Sequence, residues 1–340
     1  MKNLEPIVDS LGRPLRDLRI SVTDRCNFRC RYCMPEELFG PGFSFLPKEK
    51  LLTFEEIARL AQIFAELGVS KIRITGGEPL LRQDIVKLVH LLAKIEPIQD
   101  LALTTNGVLL TKLAGPLKKA GLKRINVSLD TLRDETFHKL NSRNYSVHHV
   151  LEGIDAAKEA GLKVKVNMVV IKGVNDSEIV EVARYFRERG LIVRFIEFMD
   201  VGNSNGWDLS QVISKQEIIK RIHAEMPIEE IKPAYFGEVA TRFRYQGTES
   251  EFGVIPSITQ PFCSTCTRLR LSSDGFLYTC LFATEGFNLR DFMRQGADDE
   301  ELRQRIRKLW EKRADRYSEE RSKKGNSNKK KKIEMSYIGG

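Results

Sequence analysis

The chain has 340 residues, 41% hydrophobic and 30% charged, the composition of a folded globule of about two domains rather than a disordered or fibrous protein. No apolar run is long enough to span a membrane, and the N-terminal segment, with Glu5, Asp9 and Asp17, carries no export signal, so a cytoplasmic protein is expected. The net charge of +9 belongs to the end of the chain: residues 301–340 hold 14 Lys/Arg against 6 Asp/Glu, and the dense run Lys323–Lys332 reads as solvated rather than as a nucleic-acid patch, since no aromatic residues interleave it.

In chain order, β-rich runs at 18–23, 71–75, 101–105, 124–129, 164–170 and 193–198 predict strands. Between the first two, Ile57, Leu60, Ala61, Phe64 and Leu67 follow a helical period over 54–67. Thr53 with Glu56 makes a capping box, and Gly68 stands where a helix terminus accepts a left-handed residue. Further helices are expected at 84–95, 111–120, 147–160 and 178–189, with Gly121, Gly161 and Gly190 following three of them. Regular strand–helix alternation predicts a parallel sheet. Six such units are too few for a closed eight-stranded barrel, so the expected fold is α/β, a partial (β/α)6 TIM-like barrel.

From about residue 230 the pattern dissolves into aromatic, Gly-containing and polar segments, with one more helix near 298–313. The expected organisation is a barrel over 1–230, a C-terminal region over 231–320 packing on and closing the barrel's open side, and a flexible basic tail over 321–340 ending in Gly339-Gly340.

All six cysteines fall into two triads. Cys26, Cys30 and Cys33 form C-x3-C-x2-C directly after the first strand, where barrel enzymes place catalysis. Cys263, Cys266 and Cys280 form C-x2-C-x13-C. A four-iron cluster normally takes four thiolates, so three leave one iron open to something other than protein. Zinc sites favour paired C-x2-C units with a fourth ligand; a zinc site or a plain ferredoxin-like cluster is the competing reading. Gly76-Gly77-Glu78-Pro79 closes the second strand, where glycines permit close backbone approach to a ligand and Glu78 can accept a hydrogen bond from an ammonium.

Strand side chains alternate faces. Arg19, Ser21 and Thr23 therefore share one side, as do Lys71 and Arg73, Thr104 and Asn106, Asn126, Ser128 and Asp130, and Lys165 and Asn167. The other faces are apolar and suit the helices. Burying unpaired cations is costly, so this polar side must hold something anionic or wet, and a polyphosphate fits best. Arg194 and Met199, five positions apart, fall on opposite faces of the last strand unless it bulges or ends between them. Arg268 and Arg270, if extended, project together beside the second triad, as suits a phosphorylated or nucleotide ligand.

The C-x3-C-x2-C loop with Tyr32 before its last cysteine, followed by Gly76-Gly77-Glu78-Pro79, resembles the radical S-adenosylmethionine (SAM) superfamily. Together with Thr104-Thr105-Asn106-Gly107, Phe262-Cys263-Ser264-Thr265-Cys266-Thr267-Arg268 and the terminal Gly-Gly, nearly the whole chain resembles the GTP 3′,8-cyclase family, which begins molybdenum cofactor synthesis. The resemblance implies a lyase with two [4Fe-4S] clusters and SAM. The first cluster would sit on Cys26, Cys30 and Cys33, with Tyr32, Gly76, Gly77, Glu78, Ser128 and Met199 around SAM. The second, on Cys263, Cys266 and Cys280, would bind the guanine of GTP. Arg19, Arg73, Thr104, Lys165, Arg268 and Arg270 would hold GTP, aided by Lys71 and Arg194. The 5′-deoxyadenosyl radical would take the ribose 3′ hydrogen, giving (8S)-3′,8-cyclo-7,8-dihydroguanosine 5′-triphosphate. Arg19, Arg268, Arg270, Gly339 and Gly340 would act at the reacting centre, with the Gly-Gly tail reaching into it.

The resemblance also implies a reducing electron donor, a downstream cyclic pyranopterin monophosphate synthase and no membrane partner; a homodimer is left open. The alternative is another radical SAM enzyme with one auxiliary cluster and a different phosphorylated substrate. A peptide-modifying member would usually carry more cysteines. An electron carrier would have no use for Gly76-Gly77-Glu78 or for a cationic lumen.

Overall fold

The computed structural model describes residues 6–321 and 331–339. Six parallel strands follow in order: β1 (Asp17–Ser21), β2 (Lys71–Thr75), β3 (Asp100–Thr105), β4 (Arg124–Ser128), β5 (Lys163–Val170) and β6 (Ile192–Glu197). Each lies within a residue or two of its sequence expectation. Helices Phe54–Glu66, Ile85–Ala93, Leu110–Lys119, Val147–Glu159 and Ile179–Glu188 alternate with them, and the Thr53/Glu56 capping box forms, its two bonds 2.8 and 3.1 Å long. Alternation in β5 shows how the layers divide. Val164, Val166, Met168 and Val170 are buried against the helices, while Lys165, Asn167 and Val169 stand half-buried on the other side. A Val/Ile/Leu core between sheet and helices supplies the main stabilisation.

Beyond residue 228 the absence of a strand pattern in the sequence is misleading. Six short strands form there: β7 (Ile228–Ile231), β8 (Thr241–Tyr245), β9 (Glu251–Ile255), β10 (Arg268–Leu271), β11 (Phe276–Tyr278) and β12 (Phe287–Asn288). They extend the same sheet at both edges, in the order β12-β11-β10-β1-β2-β3-β4-β5-β6-β9-β8-β7. β10 runs parallel to β1, pairing Asp17 with Arg268 and Arg19 with Arg270, and β9 runs parallel to β6. The partial barrel thus carries its C-terminal region as added strands on both flanks, and the sheet stays open. Helices Asp134–Leu140 and Lys215–Glu225 also form without a sequence expectation, and Asp299–Glu311 matches the last helix expected.

Of the basic run, residues 323–330 lie outside the described residues. Lys332 is not simply solvated: its ammonium meets the Asp200 carboxylate at 2.8 Å. Among the described residues no helix is long and apolar enough to cross a membrane.

Candidate active site

The polar sides of the strands and both cysteine triads open onto one cavity of about 550 Å³, within the size range of small-molecule pockets. All six cysteines line it, with Arg19, Lys71, Arg73, Thr104, Asn106, Ser128, Asp130, Asn167 and Arg194 from the strands and their ends. Tyr32, Gly76, Gly77, Glu78, Met199, Arg268 and Arg270 line it too. Met199 reaches the wall because β6 ends at Glu197, so strand parity does not extend to it. Lys165 and Asn126 share the polar face but are not on the cavity wall; Lys165 sits beside Arg194 and Arg124. Ser21 and Thr23 also stand off the wall, the Ser21 hydroxyl being fully buried and turned to the Thr23 carbonyl at 3.4 Å.

The first triad's loop is a tight turn. The Cys33 and Met34 N–H groups both donate to the Cys30 carbonyl, at 3.0 and 2.8 Å. Arg29 braces it, donating through Nε to the Phe39 carbonyl and through Nη1 to those of Cys26 and Phe28, each at 2.8 Å. The Gly76-Gly77 segment docks on this loop, with Gly77 N–H on the Thr23 carbonyl and Glu78 N–H on the Arg25 carbonyl, both at 2.8 Å. A Cβ at Gly76 would lie 2.6 Å from the Thr23 oxygen, and one at Gly77 2.3 Å from the Arg25 oxygen. The close approach that demands glycine is therefore first of all to the cysteine loop itself.

Glu78 is buried, and its carboxylate accepts from Leu80 N–H (3.0 Å), Thr105 Oγ1 (2.7 Å) and Asn106 N–H (2.7 Å). Burial nonetheless pushes it up to about 7. The Tyr32 hydroxyl donates to Asp130 at 2.7 Å, tying the triad loop to the end of β4.

Residues 20–186 match the family described as the Radical SAM superfamily, and residues 191–319 the one described as Molybdenum Cofactor Synthesis C. Over 339 residues the chain is 55% identical to GTP 3′,8-cyclase of Staphylococcus saprophyticus subsp. saprophyticus, spanning 99% of this chain and 100% of that one; the GTP 3′,8-cyclase of Staphylococcus carnosus matches equally. The chain belongs to the GTP 3′,8-cyclase family. Among solved structures, SuiB of Streptococcus suis bound to S-adenosylmethionine superposes with a TM-score of 0.60 at 17% identity, covering 87% of this chain and 68% of that one. A second SuiB structure gives 0.61 at 15% identity, covering 88% and 67%. At these identities the likeness is one of fold.

Membership of this family implies a four-iron cluster and SAM, and the first triad fits that pair. Burial pushes the Cys26 and Cys33 thiols up to about 12 and Cys30 well above its ordinary value. These groups become thiolates when a cationic centre draws off their protons. Among the described residues no three Cys, His, Asp or Glu side chains converge on one ion position. A four-iron cluster takes each thiolate at a separate corner.

The second triad of this cyclase-family chain is electrostatically different. Burial disfavours the Cys266 thiolate, but the Arg268 and Arg313 guanidiniums beside it more than offset this and bring the thiol down to about 6. Arg268 reaches the Cys266 sulfur through Nε at 3.4 Å and Nη2 at 3.3 Å. Burial, with Arg73, Arg270 and Arg268 nearby, lowers Arg19 well below its usual range; burial brings Arg194 to about 9 and Arg270 to about 10. The Nε atoms of Arg19, Arg73 and Arg194 are buried without a partner, while the acids of the wall are Asp17, Glu78, Asp100, Asp130 and Asp315.

Sequence reasoning missed Arg13, Arg313 and Asp315, which line the cavity beneath the second triad, and Tyr235, whose ring lies 3.9 Å from the Lys71 ammonium. Asn106 and Asn167 did carry a signal, as the polar partners of Thr104 and Lys165.

The chain's end is brought to the same place. Met335 and Ser336 line the cavity, the Tyr337 hydroxyl donates to Asp274, and Arg270 Nη1 donates to the Gly339 carbonyl. Glu334 anchors the segment on Asn203 N–H and Ser204 Oγ, both at 3.0 Å. Gly340 lies outside the described residues.

Proposed function

We propose that the chain is a lyase that converts GTP to (8S)-3′,8-cyclo-7,8-dihydroguanosine 5′-triphosphate at the start of molybdenum cofactor synthesis. The observation that carries this reading is that two cysteine triads and a set of buried, partly unpaired arginines share a single cavity. Cys26, Cys30 and Cys33 would hold one [4Fe-4S] cluster and Cys263, Cys266 and Cys280 a second. When bound, the first cluster and SAM would supply the radical chemistry that begins at the ribose 3′ hydrogen of GTP.

The protein's own part is orientation, the larger share when a cofactor carries the reaction. Gly76, Gly77, Glu78, Tyr32, Ser128 and Met199 surround SAM. Lys71, Arg73 and Arg194 take the triphosphate, with Lys165 adding its charge from beside Arg194 behind the wall, while Arg19, Thr104, Arg268 and Arg270 place the nucleoside against the second triad. Gly339 acts beside Arg270, where the docked segment keeps water out, and Gly340 has a part in the reaction with it. Residues 1–230 form the radical SAM barrel, 231–320 the C-terminal region with the second cluster site, and 321–340 the basic tail ending in Gly-Gly. Thiols used as iron ligands suit the reducing cytoplasm, where an electron donor acts on the clusters and a cyclic pyranopterin monophosphate synthase takes the product.

The test is anaerobic reconstitution followed by SAM, GTP and a reductant, with 5′-deoxyadenosine and cyclised nucleotide as readouts. No SAM cleavage by a protein holding both clusters would sink the proposal, and GTP-independent cleavage with GTP unchanged would leave the superfamily but not the substrate.

Lys165 gives a pH prediction. Burial and the neighbouring Arg194 and Arg124 bring its ammonium down to about 8, with Glu238 opposing and Arg242 adding to the fall. An anionic triphosphate favours the charged form, so GTP binding takes up a proton and affinity falls as pH rises past about 8. The slope approaches about tenfold per pH unit where the charge is required. Calorimetric titrations of the wild type and Lys165→Met between about pH 7 and 8.5 check this; an equal slope in the variant would remove Lys165 from the phosphate site.

A further inference from the structure

Beneath the second triad lies a buried ion network that the reaction described above does not use. Arg313 follows the helix Asp299–Glu311, and Arg13 lies in the N-terminal turn closed by the Val8–Pro14 bridge. Both side chains are 1% exposed, and both meet Oδ2 of the fully buried Asp9, Arg13 Nε at 2.6 Å and Arg313 Nη1 at 3.4 Å. Arg13 Nη1 donates to the Cys263 carbonyl at 2.9 Å. Arg313 Nη1 donates to the Cys266 carbonyl at 2.9 Å, and its Nη2 donates to the Cys266 sulfur at 3.3 Å. Asp315 completes the pairing, 3.1 Å from Arg313 Nη2. Trp310 packs its ring 4.6 Å from the Arg313 guanidinium and donates through Nε1 to the Arg13 carbonyl at 3.1 Å.

Buried cations of this kind survive only when paired and hydrogen-bonded, and this pairing aims one N–H of Arg313 at a sulfur. Among the described residues no arginine donates to a sulfur of the first triad. Hydrogen bonds and positive charge at a cluster's sulfurs raise its reduction potential and fix ligand orientation.

We propose that Arg313 is a positioning residue of the second triad: backed by Arg13 and Asp9, it fixes the Cys263–Cys266 turn and, through Nη2 on the Cys266 sulfur, makes the cluster held there easier to reduce. This rests on the two-cluster reading of the preceding subsection. It differs from Arg268, which reaches the same sulfur through Nε and Nη2 and is placed against substrate.

The experiment is a mediated reductive titration of the reconstituted full chain followed by electron paramagnetic resonance, without GTP. Wild type is compared with Arg313→Gln and Arg313→Lys. In Arg313→Gln the second cluster's midpoint is expected to move to more negative potential with an altered signal shape, while the first cluster's midpoint stays put. Unchanged midpoints and signals with full iron content would overturn the inference. Should Arg313→Gln lose iron, Arg313→Lys decides, since it keeps the charge near Asp9 but loses the planar fork: a negative shift supports the role and a wild-type midpoint overturns it. A wild type that holds one cluster would instead overturn the two-cluster reading, and this inference with it.

Discussion

Replacement of Gly339 by alanine is expected to cut cyclised-nucleotide formation about 100-fold while iron content stays at the wild-type level, the scale of loss that a displacement of about 1 Å causes at a reacting centre. Gly339 has φ +75°, and a Cβ there would lie 2.1 Å from Thr75 Cγ2 at the end of β2. Relief requires moving the segment that carries the Gly339 carbonyl onto Arg270. Ending the chain at Ile338 is expected to have the same effect without the steric cause. Because the two groups are in direct contact, Arg270→Ala combined with the truncation is expected to lose little more than either change alone. The check is product formation by chromatography, with iron analysis and 5′-deoxyadenosine release in parallel. Full cyclisation by the shortened chain would show that the tail's docking has no part in the reaction.

The second large effect is expected at Gly77. Alanine there would set its Cβ 2.3 Å from the Arg25 carbonyl oxygen and 2.7 Å from its carbon, both main-chain atoms with nowhere to fold away. The cysteine loop would have to lift off β2, carrying Cys26 with it and breaking the 2.8 Å bonds from Gly77 and Glu78. SAM cleavage is expected to fall about 100-fold or more, with iron lost from the first site while the second keeps its cluster. Wild-type SAM cleavage in Gly77→Ala would mean that the loop is not held by this contact.

The central strands were legible because their chemistry is local. Runs such as Val-Lys-Val-Asn-Met-Val-Val alternate along a single strand and show both faces at once. The added strands were not, for reasons visible in their residues. β12 is two residues long, and in the edge hairpin of β7 and β8 Glu229 faces Arg244, Glu230 faces Phe243 and Ile231 faces Arg242, so that charged and apolar residues mix along both strands and conceal a strand pattern. The common side of Arg268 and Arg270 could be read from Arg-Leu-Arg-Leu, but not that β10 would join β1.

Met199 escaped parity for a physical reason. The Glu197 carboxylate is taken by the N–H groups of Lys215, Ile258 and Thr259, at 2.7, 2.8 and 2.8 Å, at the point where the strand stops. Arg313 left no trace at all, being one basic residue among many in a basic stretch, 47 positions from the sulfur it touches. The glycines at 76 and 77 could be placed in the sequence, but their reason could not: the nearest neighbour is the protein's own loop.

The parallel pairing of β10 with β1 and of β9 with β6 has a consequence for how the protein is made. Synthesis delivers β1 to β6 first, as an arc with two bare edges, each a row of unpaired N–H and C=O groups open to wrong partners. Both edges are covered only when residues 251–271 have left the ribosome. Until then the nascent chain depends on slow, distant pairings to protect it, and the residues that complete the site are the same ones that end this exposure.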